Sequence, residues 1–209
     1  MLHRFFIYLI SYLILSGVLS FTALGQSRIP ADADLTPEEQ QQEILLRYME
    51  SNIPGPETEL LLALNGNWVT EMRNKLGPEF AASTAEGNAE VQVMLGGRFV
   101  QIVQEGEIRD FPFQSLQFLG FGGGSNPYFL HIFDTFGKNG VVLRGVFQPK
   151  TNRIRFQGNA YDPVLRTQQN YEVIIQFIAP HEFVIQTYLD NSKVGGGPYL
   201  AQEVRFVRN

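Results

Sequence analysis

Few residues of this chain stand where they could do chemistry, and His131 is the sharpest of them. Read as a strand, residues 128–134 place His131 on one face with Phe129 and Phe133, and Tyr128, Leu130, Ile132 and Asp134 on the other. A histidine between phenylalanines can ligate a metal, or serve as a satisfied polar group of a core or pocket. It cannot form a relay with Asp134, because residues three apart on a strand point to opposite faces, and no G-x-S-x-G elbow supplies a nucleophile. His181 falls in the turn Ala179-Pro180-His181. The chain has no cysteine, which removes thiol nucleophiles, Cys-ligated zinc, iron–sulfur clusters and disulfides together. No ligand spacing suggests a zinc site, so no metal ligand is assigned.

The carboxylate pairs fare no better. Glu57/Glu59 fall at a helix start and Glu105/Glu107 in an expected turn, where acids are solvated or complement the helix dipole. The run from Gly120 to Ser125 echoes a phosphate loop, but it lacks G-K-[ST] and no helical pattern follows. A net charge of −5 argues against nucleic acid, which needs clustered Lys and Arg. No catalytic residue and no cofactor is assigned, and the expectation is a protein that is not an enzyme.

The elements that must position these residues follow from periodicity. Residues 1–25 read as a signal peptide: Arg4, an apolar run from Phe5 to Val18, then Ala23-Leu24-Gly25 ahead of a mature start at Gln26. An uncleaved anchor is the alternative reading of that run. Residues 26–55 form a flexible lead and a helix. Thr36-Pro37-Glu38-Glu39 supplies its cap, proline start and capping-box acid, and its apolar stripe is Ile44, Leu45, Tyr48 and Met49. A short helical turn over 57–64 leads into Gly66-Asn67-Trp68.

Beyond Asn67 the period changes to two. About ten strands at steady spacing, punctuated by Gly96-Gly97, Gly106, Pro149-Lys150-Thr151-Asn152 and similar turns, predict a mainly β domain over 56–209. They suggest an antiparallel up-and-down barrel of about ten strands with an N-terminal helix. A β-sandwich is the alternative, but its long crossovers find no matching loop.

Several stretches then carry a resemblance. Gly66-Asn67-Trp68 matches the G-x-W that opens lipocalin-like barrels. Pro54-Gly55-Pro56-Glu57, Met94-Leu95-Gly96-Gly97-Arg98-Phe99, Phe118-Leu119-Gly120-Phe121, Asp134-Thr135-Phe136-Gly137, Phe156-Gln157-Gly158 and Glu203-Val204-Arg205-Phe206 resemble hallmark stretches of one bacterial family. It is the domain of unknown function fifteen-seventy-nine, exported proteins with a lipocalin-like fold, and the resemblance runs from about Pro54 to Arg208. Relatives often carry a histidine where this chain has Thr58, and an aspartate where it has Gly122.

The resemblance implies that Trp68 closes one barrel end with Arg205 stacked on its face. It also admits His131 as a haem ligand, as in haem-binding members of the wider group. The expected function is binding of a small hydrophobic ligand inside the barrel, with His131, Phe129, Phe133, Phe99 and Phe118 as lining. A filled barrel acting as a scaffold or interaction module is the alternative, ahead of haem binding or an enzyme. The expected location is the periplasm or outside the cell, with no nucleic acid partner and no membrane association after signal cleavage.

Overall fold

A computed structural model describes residues 35–122, 125–137, 140–162, 166–190 and 197–209. The expected signal peptide and lead lie outside the described residues, as do parts of the turns expected at 122–126, 137–140, 162–163 and 191–198. The chain divides into two compact units, Met1–Tyr48 and Met49–Asn209.

Helix α1 (Pro37–Ser51) begins with a closed capping box. The Thr36 amide donates to Glu39 Oε2 at 2.8 Å, and the Glu39 amide donates to Thr36 Oγ1 at 3.4 Å. The Thr36 hydroxyl also donates to Glu39 Oε2 at 2.8 Å, and the Thr36 amide first and this hydroxyl second hold the Glu39 carboxyl below its usual range. No residue of α1 is buried, and the stripe of Ile44, Leu45, Tyr48 and Met49 is exposed.

The second unit starts with α2 (Pro56–Leu62) and continues as ten strands: β1 (Gly66–Asn74), β2 (Ser83–Met94), β3 (Phe99–Ile108), β4 (Phe111–Phe121), β5 (Tyr128–Asp134), β6 (Val141–Gln148), β7 (Arg153–Asp162), β8 (Thr167–Ala179), β9 (Glu182–Asp190) and β10 (Pro198–Arg208). Each pairs antiparallel with the next, and β1 pairs with β10 to close the barrel. Closure removes every sheet edge. The outer face of β1 to β3 carries Glu71, Arg73, Glu86, Asn88, Glu105 and Glu107, all exposed, with Gln114 donating to Glu105 at 3.0 Å and Arg205 to Glu71 at 3.3 Å.

One turn differs from expectation. Gly106 lies inside β3, and the chain reverses instead at Arg109-Asp110, both at positive φ (52° and 67°), the handedness that suits a two-residue hairpin. Glu105 and Glu107 are therefore strand residues. Gly106 pairs with Gly87, where a Cβ would sit 2.2 Å from the Glu105 carbonyl oxygen. The glycines let β2 and β3 approach closely.

Pairing is staggered. The row of partners that starts at Phe121 on β4 passes Gly145 on β6 and Val173 on β8, and reaches Asn74 on β1 at the opposite end of the barrel. The strands are thus strongly tilted, and ten tilted strands enclose a wider interior than eight.

Candidate binding site

At one end, α2 covers the barrel. Leu61 and Leu64 are buried against the core, Thr58 is buried with its hydroxyl donating to Gly55 O at 2.7 Å, and Tyr128 donates to Glu57 O at 3.0 Å. Burial first, and the charge of Glu57 second, push the Tyr128 phenol above its usual range. Trp68 is 2% exposed and donates from Nε1 to Leu64 O at 2.9 Å. Its ring meets Phe183 edge-on at 4.7 Å, and Phe183 stacks on Phe206 at 4.2 Å.

The arginine on the indole is Arg208, where Arg205 was expected. Its guanidinium lies 4.5 Å over the Trp68 ring and donates to Asn65 O and Ala63 O at 2.9 and 2.8 Å. Strand parity explains the correction. Val204, Phe206 and Arg208 share the inward phase, whereas Arg205 faces out and pairs with Glu182 at 2.8 Å and Glu71 at 3.3 Å.

The five residues expected to line a ligand pocket also lie on the wrong side of the wall. On β5, Tyr128, Leu130 and Ile132 point inward, so Phe129, His131 and Phe133 point outward, and Phe133 is 46% exposed. Phe118 is the partner of His131, and Phe99 lies on the same outer surface, 5.7 Å from Phe129. Gly120 sits between the Phe99 and Phe129 rings, where a Cβ would meet Phe129 at 2.4 Å. His131 touches Phe129 at 5.5 Å, and Arg144 lies 5.6 Å over the Phe129 ring. A shallow cleft of about 400 Å³ beside these rings is bounded by Pro54, Gly55, Arg98 and Phe121. His131 therefore cannot ligate an iron held inside the barrel. It also stands across the wall from Asp134.

What faces inward changes along the barrel axis. Toward α2 the lining is apolar: Leu130, Leu143, Ile154, Phe156, Ile175 and Phe206 are fully buried. Farther along it turns polar and is less completely buried. Thr70, Asn74, Gln104, Ser115, Gln117 and Gln169 are buried inward-facing polar residues, while Ile132, Ala160, Tyr171, Thr187 and Gln202 are only half buried.

Among the described residues, five buried side-chain atoms lack a hydrogen-bond partner, and four belong to this lining: Thr70 Oγ1, Asn74 Nδ2, Gln104 Nε2 and Gln117 Oε1. Each costs about 1–3 kcal/mol if left unmet. The sequence held a signal for them. Gln104 shares the phase of Val100 and Ile102, and Gln117 that of Phe113 and Leu119.

At the rim, Tyr171 and Tyr199 have phenols raised above their usual range, in both by burial first. Tyr171 also feels Asp162, Asp134 and Tyr199, in that order. No group of three or more histidines and acids is arranged to hold a metal among the described residues.

The barrel is similar in fold to designed proteins. One is a de novo fluorescence-activating β-barrel, 13% identical, with 71% of this chain and 95% of that chain covered and a TM-score of 0.40. Another is the redesigned barrel mFAP1, bound to DFHBI, at 15% identity, 71% and 96% coverage and a TM-score of 0.35. No curated protein matches the sequence. The family model described as "Protein of unknown function (DUF1579)" matches residues 53–208, nearly the whole of the second unit, and the chain belongs to that family.

Proposed function

We propose that this protein is a non-catalytic binding barrel that takes one small, largely apolar molecule through the end opposite α2. The observation that carries this reading is the lining of that half. A wall that buries polar atoms without partners, beside half-buried Ile132, Ala160 and Tyr171, is built to be completed by a guest. The packed half near α2 supports the scaffold alternative only for that half, where no buried inward-facing side-chain atom of the described residues is left unmet.

The test is a titration with the neutral, environment-sensitive dye Nile red, alongside native mass spectrometry of the protein as purified. Saturable one-to-one binding that is lost in Ile132→Trp, which fills the inner cup, and kept in Phe129→Ala supports the reading. The opposite pattern moves the site to the outer aromatic cleft and overturns it.

Export belongs to the same proposal. The apolar run after Arg4 and the small residues before Gln26 support it. N-terminal sequencing of protein recovered from expressing bacteria should begin at Gln26, and an N-terminus at Met1 contradicts cleavage.

A further inference from the structure

The chemistry of the guest's polar end can be read from the inner wall. Among the described residues, the only cation in the inward phase is Arg208, and it stands at the α2 end, engaged by two carbonyls and the Trp68 ring. Arg73, Arg144, Arg153, Arg155 and Arg205 all fall in the outward phase of their strands. Among the described strand residues, the acids in the inward phase are Asp134 and Asp162.

Asp134 continues a row. It is the partner of Ser115, which is the partner of Gln104, and Gln117 donates to Ser115 Oγ at 3.3 Å. Within this cluster Gln104 is 1% and Gln117 is 6% exposed. Gln104 Nε2 is a donor with nothing to donate to, and Gln117 Oε1 is an acceptor with nothing to accept. The two glutamines thus ask for a group with both functions, next to a carboxylate that disfavours a second negative charge.

We infer that the barrel selects an amphiphile with an uncharged head group that both donates and accepts a hydrogen bond, a hydroxyl or primary amide, and rejects carboxylates. A carboxylate brings acceptors only, leaves Gln117 Oε1 unmet, and sets its charge near Asp134, while the inward cation among the described residues, Arg208, stands at the far end. An ammonium suits Asp134 and Gln117 but leaves Gln104 Nε2 without an acceptor, so it ranks between the two. The inference rests on the binding reading above.

Displacement of Nile red by chain-matched decanol, decanamide, decylamine and decanoate at neutral pH tests it. Decanol and decanamide should displace the dye best, decylamine less well, and decanoate about tenfold less well or worse. Asp134→Asn keeps the oxygen that accepts the Phe136 and Gly137 amides, so the turn survives, and it should recover decanoate binding several-fold. Gln104→Leu should weaken decanol by about tenfold. Decanoate competing as well as decanol, or unmoved by Asp134→Asn, overturns the selectivity while leaving the binding barrel in place. Failure of Nile red to bind removes the barrel reading and the selectivity with it.

Discussion

The two ends of the barrel obey one parity rule and use it differently. At the α2 end the inward side chains are aromatic or aliphatic, and the polar atoms among them are answered: the indole N–H by Leu64 O, the Tyr128 hydroxyl by Glu57 O, the Arg208 guanidinium by two carbonyls. At the other end Thr70, Asn74, Gln104 and Gln117 bury atoms that nothing answers. Native proteins pair nearly all such groups, so the first end reads as the part that holds the fold together. The second buries hydrogen-bonding capacity that the described residues do not use.

Substitution can break this contrast. Trp68→Ala should cost about 3–5 kcal/mol, since it empties the centre of the closed end. Far-UV circular dichroism during urea unfolding reads this, because the chain has a single tryptophan and the variant loses that fluorescence. Melting within a degree of the parent would sink the assignment of stability to this end.

A paired test comes next. Arg208→Ala should cost about 2 kcal/mol through lost charged hydrogen bonds and the cation–π contact, whereas Arg205→Ala, which removes only exposed ion pairs, should cost clearly less. Equal losses would mean that the indole contact is not what matters.

At the open end the sign should reverse. Gln104→Leu should raise stability by about 1 kcal/mol, by removing a buried unmet donor, while weakening ligand binding. A loss of stability would show that the glutamine is structurally satisfied.

The smallest effect is alkaline. Tyr128, Tyr171 and Tyr199 are held above the ordinary value of 10.0, so the folded state favours the neutral phenol and the unfolded chain gives up its protons first. Their contribution to stability is complete below about pH 10 and is lost as the pH rises through the folded values. The free energy of unfolding, followed between neutral pH and about pH 11, should decline only in the alkaline limb, and a decline beginning near neutrality would exclude these tyrosines as its cause.

Much of the fold was legible because local chemistry wrote it. Thr36 and Glu39 announce the start of α1, and alternation with steady turns announces ten strands. Gly106 misled, because glycine serves both turns and close strand approach, and only pairing with Gly87 shows which. The site was harder. Both faces of β5 are apolar, Phe129, His131 and Phe133 on one and Tyr128, Leu130 and Ile132 on the other, so composition could not say which faced in.

The sequence by itself determined the period, the strand count, the missing thiol chemistry and the family that residues 53–208 match. Tertiary structure alone decided which side of each strand became the inside. Closure of β1 on β10 and the seating of α2 against Tyr128 and Trp68 set that phase for the whole wall. A shift of one residue exchanges the two faces of a strand, so the choice between Arg208 and Arg205, or between Gln117 and Phe118, belongs to long-range register and not to any local pattern.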